Sequence, residues 1–256
     1  MTKGAKKRTH GKKNRLSNGI TKVRQSVCAL FSIAIIVACA HAVHVIIGKT
    51  FVARTVIFTG NKHLTEEELM ALAGLKGGEN LLTLSNSAVF ERLSKSPWIV
   101  FASVRKDLPD SVHIMVREAE PFALLDMNGR LFLVDNKGNM LEELTSSSMP
   151  FLPIISGSPF GPKETFNEAI NLVKAVKESE LSSRKDHIEI IADKAQEMAL
   201  NLDGLVVKVG KGEYEEKLMR LMEIESEIKR REIPVDYIDL RFANRVIVKP
   251  VNEVVN

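Results

Sequence analysis

Residues 96–124, "SPWIVFASVRKDLPDSVHIMVREAEPFAL", decide the fold of the first part of this chain. Within them "WIVFASVRK" and "SVHIMVRE" are rich in β-branched and aromatic residues and read as two strands. "DLPD" joins them, and Pro109, its φ already fixed, suits a tight turn. Pro97 stops a short helix, "SNSAVFERLSKS" (Ser85 to Ser96), with Val89, Phe90 and Leu93 expected on its inner side. Trp98, just after the stop, is read as a core side chain.

Moving upstream, Thr65 stands as an N-cap with Glu68 three residues on, a capping box, and Leu64 and Leu69 are placed for a hydrophobic staple. Leu69 and Leu72 supply a buried stripe, and Gly74 closes this helix. Gly77-Gly78 reads as a turn. Before the capping box, "FVARTVIF" (Phe51 to Phe58) reads as a strand ended by "TGN". The order is strand, helix, helix, strand, strand.

The N-terminal side is of a different kind. Residues 1–24 hold nine Lys or Arg, and the first acid is Glu66. After residue 24 there remain 27 basic against 32 acidic side chains, a net of −5, so the folded part lacks the basic surface of a nucleic-acid domain. No charged residue occurs from Gln25 to Gly48, and the apolar run from Val27 to Ile47 would make a helix of roughly 31 Å, enough to cross a bilayer. The basic tail, read as disordered, marks the cytoplasmic side, with the body exported. "ACAHA" (Ala38 to Ala42) would also suit a signal peptidase, and "IVAC" (Ile36 to Cys39) a lipoprotein box acylated at Cys39. The long basic region and the apolar residues beyond Cys39 favour a retained anchor. Both cysteines, Cys28 and Cys39, lie in this stretch, so no disulfide is expected in the exported part. His41 and His44 share a helix face without a third ligand.

Downstream of Pro121 the strands are short. "FALLD", "LFLVD" and "MLEEL" are separated by the turns "MNGR" and "NKGN". "MPFLPIISGSPFGP" is a Pro/Gly-rich connector. A helix follows from about Lys163 to Ser179, with Phe166, Ile170, Val173 and Val176 inward. "HIEIIAD", "EMALNL" and "LVVKVG" are strands, the last two joined by Asp203-Gly204. A helix over Glu213 to Glu232 turns Tyr214, Leu218, Leu221, Met222 and Ile228 to one side. "YIDLRFANRVIVKP" (Tyr237 to Pro250) then reads as a hairpin near the C-terminus, followed by too few residues to cover its edge.

These residues together resemble a known family. The strand ending in Gly60-Asn61, Pro97-Trp98, Arg105 with Leu108-Pro109-Asp110, and the exit Glu118 to Pro121 are similar to the POTRA domain of the cell-division protein family FtsQ (DivIB in Gram-positive bacteria). The family often has Glu-Arg-x-Pro at that exit; here it is Glu118-Ala119-Glu120-Pro121. The likeness continues through "LVDNKGN", Leu152-Pro153 with Gly157, "VKVG", and Asp239-Leu240-Arg241. It implies an α+β protein divided as follows: 1–24, a basic cytoplasmic tail; 25–48, a single transmembrane helix; 49–119, a POTRA domain (β-α-α-β-β). Residues 120–250 would be a mixed β domain of the FtsQ type, with two helices and a C-terminal β-hairpin, and 251–256 a tail. By the resemblance the protein sits in the cytoplasmic membrane, at the division septum.

Catalytic motifs do not assemble. "GLVVKVGKG" has the wrong glycine spacing for a phosphate loop, and the exported histidines are scattered. Asp126 and Asp135 read as turn residues. No catalytic, cofactor or metal site is assigned, and a non-enzymatic scaffold is expected. The alternative is a secretion or envelope-assembly factor carrying one POTRA module. By the resemblance, the POTRA domain contacts upstream division proteins. The β domain binds FtsB-like (DivIC-like) and FtsL-like partners through its final strands. The positions this puts forward are Tyr237, Arg241, Phe242 and Asn244, followed by Arg245, Val246, Ile247, Val248 and Lys249. In that reading Ile238, Leu240 and Phe242 face the core, and Tyr237 faces the other way.

Overall fold

A computed structural model describes residues 13–145, 150–158, 163–243 and 245–251. The first helix, α1 (Lys13–Thr50), contains the apolar stretch Val27–Gly48, which is long and apolar enough to cross a membrane. It begins within the basic segment read above as a disordered tail, because residues 13–26 contain no proline and only one glycine to interrupt the turn-by-turn hydrogen bonding.

By its internal packing the chain forms two compact units: residues up to Leu93 with Ala102–Met115, and Ser94–Phe101 with Val116 onward. The order after α1 is β1 (Thr55–Thr59), α2 (Glu66–Ala73), α3 (Asn86–Leu93), β2 (Ile99–Asp107) and β3 (Ser111–Glu118). The three strands form one sheet in the order β1-β3-β2, with β1 parallel to β3. Thr65 and Glu68 form the expected capping box, and Gly74 ends α2 in the left-handed region at φ 66°. Leu69, Ala73, Val89 and Leu93 are buried on these two helices. Phe90, expected inward, is 45% exposed: one residue past Val89 lies about 100° around the helix, beyond the buried stripe. The first strand is also shorter than expected. It starts at Thr55, because Val52 bridges to Asn80 and Ala53 bonds to Glu79 instead of joining the ladder.

In the second unit a nine-stranded mixed sheet is assembled from β4 (Ala123–Met127), β5 (Arg130–Val134), β6 (Met140–Glu143), β7 (Ile154–Ser156), β8 (Ile188–Ile191), β9 (Ala199–Leu202), β10 (Leu205–Lys208), β11 (Val235–Asp239) and β12 (Ile247–Pro250). Its spatial order is β12-β11-β10-β9-β8-β7-β4-β5-β6. Asn128-Gly129 and Asp203-Gly204 close two-residue hairpins, and all four residues have positive φ, as such turns require. β7 pairs with β4 and β8, both parallel, so the Pro/Gly-rich connector contributes an inner strand.

Parallel neighbours need crossovers. Between β7 and β8 run α4 (Lys163–Glu178) and the short α5 (Leu181–Arg184); between β10 and β11 runs α6 (Tyr214–Arg231). Ile170, Val173 and Val176 of α4 and Tyr214, Leu218 and Leu221 of α6 join one core with the inner face of the sheet. The centre of that face is a single cross-strand row: Leu125, Ile155, Ile190, Leu200, Val207 and Ile238, each at most 1% exposed. The row runs out at its ends, at the half-buried Phe132 and Val248. Acids in the first turn of α6 and Lys229, Arg230 and Arg231 in its last turn oppose the helix dipole correctly.

Candidate partner-binding edge

β12 is the terminal strand of the sheet and pairs antiparallel with β11: Tyr237 with Lys249, Ile238 with Val248, Asp239 with Ile247. The direction of its backbone groups follows from one hydrogen bond. The Leu240 N–H donates to Lys208 O at 2.8 Å, so even-numbered residues of this segment turn their main chain toward β10. By alternation Tyr237 and Asp239 face β12, and their partners Lys249 and Ile247 face back. Val248 therefore points its N–H and C=O to the open side. Pro250 follows with a carbonyl but no N–H.

The side chains of the edge come from three strands. Tyr237 is half-buried on the outer face, with Lys208 Nζ at 4.0 Å and Lys249 Nζ at 5.3 Å from its ring centre. Lys249 Nζ also donates to Asp236 Oδ2 at 2.8 Å, which raises its pKa. Ile247 is 38% exposed beside them. Val248 shares the inner face with Ile238, and Val246 packs partly buried against the core.

The turn before β12 is braced on both sides. Asp239, buried, accepts from Arg241 Nε at 3.0 Å and Nη2 at 2.6 Å, and from the Arg241 N–H at 3.0 Å. These bonds hold the Asp239 carboxyl below its usual range and raise Arg241. Gly210 makes room for the Arg241 stem: a Cβ there would lie 3.1 Å from Arg241 Cγ and from Gln196 O, and its φ is 65°. From α6, Arg220 Nη1 donates to the carbonyls of Phe242 and Ala243.

Of the positions read from sequence, Tyr237, Ile247, Val248 and Lys249 come together at the edge, while Arg241 is bound to Asp239 and Val246 leans inward. Phe242 does not face the core. The strand stops at Asp239, the chain turns after the buried Leu240, and Phe242 is left 38% exposed under Arg245, whose guanidinium lies 4.7 Å from the ring centre. Asn244 lies outside the described residues. Sequence reading missed Lys208 and Arg220, because nothing local says that β10 adjoins β11 or that α6 reaches the turn. Among the described residues no group of three His, Cys, Asp or Glu side chains is placed to hold a metal. Asp126 and Asp135 accept bonds from backbone N–H groups of their own turns.

The architecture defines a class: an apolar N-terminal helix, a β-α-α-β-β module, and a mixed sheet with crossover helices on one face. The POTRA domain, FtsQ-type, matches residues 51–119, and the C-terminal domain of cell division protein FtsQ/DivIB matches residues 123–241. A cell division protein FtsQ of Geobacter sp. (strain M21) is 33% identical over 200 residues, 74% of this chain and 73% of its own. That of Geotalea daltonii is 30% identical over 247 residues, 91% of this chain and 89% of its own, so the likeness runs through almost the whole chain. That of Syntrophotalea carbinolica is 30% identical over 232 residues, 86% and 82%. This chain belongs to the FtsQ/DivIB family of cell division proteins. Membership favours a role in the divisome over the envelope-assembly alternative. The C-terminal match ends at Arg241, so Tyr237 and Arg241 lie inside it and Phe242 to Lys249 beyond it.

Proposed function

We propose that this protein is a non-enzymatic scaffold of the divisome, held by α1 in the cytoplasmic membrane with its basic N-terminus inside and the residues after α1 exported. The POTRA domain, residues 49–119, recruits it to the septum through upstream division proteins. The β domain, residues 120–250, links to FtsB-like (DivIC-like) and FtsL-like partners. β12 takes an extended partner segment as a further strand. The observation that supports this is the outward Val248 main chain on a regular terminal strand, flanked by Tyr237, Ile247 and Lys249. Strand addition draws affinity from main-chain hydrogen bonds and specificity from the alternate side chains.

Val248→Pro tests it. Proline there removes an outward donor and leaves the bonds of Ile247 and Lys249 to β11 in place, as edge strands tolerate. In full-length protein held in lipid nanodiscs, affinity for the exported part of the FtsB-like partner should fall about tenfold or more, roughly 1.4 kcal/mol. Circular dichroism should be unchanged. Equal affinity of a folded Val248→Pro protein would return β12 to the role of an ordinary sheet edge.

A further inference from the structure

The docking edge depends on the segment between β11 and β12, whose described residues, 240–243 and 245–246, belong to no strand, and its carbonyls need donors from elsewhere. Arg220 supplies them from the middle of α6. Its Nη1 lies 3.2 Å from Phe242 O and 2.5 Å from Ala243 O, and its side chain is only 19% exposed. Glu216 Oε1, one turn earlier, stands 4.0 Å from Nε. Nε and Nη2 are buried and make no hydrogen bond among the described residues, so this guanidinium accepts desolvation for the sake of two main-chain contacts. Arg241, by contrast, hydrogen-bonds its carboxylate partner directly, Nη2 to Asp239 Oδ2 at 2.6 Å.

We propose that Arg220 is a positioning residue for the docking edge: it latches the turn to α6 and so holds β12 in register before any partner arrives. This rests on the reading of β12 as a docking strand, and makes α6 part of the binding apparatus although it touches no partner. The reasoning is one of populations. β12 spans Ile247–Pro250, too short to hold its place by pairing alone, and Val248 at the end of the inner row is only half-buried. Release of the turn lets β12 fray, and a partner that needs the ordered edge then binds with its affinity multiplied by the ordered fraction. Ordering before encounter removes that loss.

The test compares Arg220→Met, which keeps the alkyl stem and loses every donor, with Arg220→Lys, which can reach one carbonyl. Both are made in full-length protein in nanodiscs. Amide exchange at Ile247 and Lys249 should quicken about tenfold in R220M while β8 and β9 keep their rates, with R220K between. Affinity for the FtsB-like segment should fall in proportion to the ordered fraction of β12, a smaller factor than the rise in exchange. Unchanged exchange and affinity in R220M would overturn the latch, and so would equal acceleration in β8 and β9, the mark of a general loss of stability. Should R220M fail to fold, R220K decides: a selective quickening of about threefold at β12 supports the latch, and none overturns it. If the unaltered protein takes up no partner strand, the docking reading falls, while the exchange comparison still judges Arg220.

Discussion

The nine-stranded sheet has two ends, and they are built differently. At one end β6 carries a bulge in the edge strand itself: Leu133 pairs with Glu142 and Val134 with Met140, leaving Leu141 as the extra residue. At the other end the bulge lies on the inner strand β11, where Asp236 is extra, and β12 itself stays regular. A bulge interrupts the even spacing of outward main-chain groups, which is one way that natural sheets protect an edge from pairing. The β6 end is guarded in this way and further decorated by the Arg130–Glu143 ion pair. The β12 end keeps its spacing and presents Val248. The same sheet has a bulged strand at one border and a regular one at the other.

The largest effect is expected from removing what holds β12's neighbour. Ile238 is fully buried at the last inner position of the cross-strand row. Ile238→Ala should cost about 2–5 kcal/mol, from lost burial and the cavity left behind. Urea titration of the full-length protein in nanodiscs, followed by the loss of β-sheet signal, reads it. A cost below about 1 kcal/mol would mean that the hairpin is not tied to the core by this row.

Tyr237→Ala comes next. Its ring stands at the edge between two ammonium groups, so truncation should lower partner affinity by about 2 kcal/mol if the ring is a binding hot spot. The matched change near the closed border is Phe132→Ala, where Arg130 lies 5.5 Å over the ring. It should leave partner affinity alone, as calorimetric titration of both variants would reveal. Equal losses at the two ends would erase the distinction between them.

Much of this was legible in the sequence, and the boundary of legibility is physical. The capping box at Thr65 and Glu68, the Gly74 stop, and the Asn128-Gly129 turn depend on residues a few positions apart, and each stands where the sequence puts it. Strand β7 was not legible. Ile154–Ser156 is three residues in a Pro/Gly-rich stretch, and it is a strand because β4 and β8, distant in sequence, pair with it on both sides. The hairpin itself was legible as two strands, but its face pattern broke at Phe242. Alternation predicts burial only while the strand lasts, and the strand ends where Arg241 folds back on Asp239. The neighbours of Tyr237 and the reach of Arg220 lie in the topology and had no local signature.

The two borders also differ in response to acid. Each has an arginine–carboxylate pair with a lowered carboxyl pKa, caused first by the side-chain hydrogen bond from Arg241 to Asp239 and from Arg130 to Glu143. Only Asp239 is buried. A carboxyl whose folded pKa is depressed adds stability that is fully present above the unfolded value, about 3.9 for Asp, and is lost as pH falls through the folded value. Amide exchange in β12, corrected for intrinsic rates, should therefore rise as the pH drops below about 4. Asp239→Asn should show the faster exchange already at neutral pH and little further change in acid. An acid response as large in Asp239→Asn as in the unaltered protein would move the cause elsewhere.

The smallest effect is expected at the closed border, and it separates geometry from charge as the guard. Arg130 and Glu143 are solvent-exposed, and such pairs contribute little because water screens them and two long side chains must be held still. Glu143→Gln removes the pair and leaves the bulge at Leu141 untouched. If the bulge is what closes this edge, the variant keeps its melting temperature within error, binds the partner as before, and sediments as the unaltered protein does. The contrast with Val248→Pro is then complete: a change at the open edge alters binding while the fold persists, and a change at the closed edge alters neither. Should Glu143→Gln instead self-associate, or draw the partner segment to a second site, the ion pair and not the bulge was protecting β6. The difference between the two borders would then lie in their charges, and the regular spacing of β12 would no longer support the proposal that this edge is the one that binds.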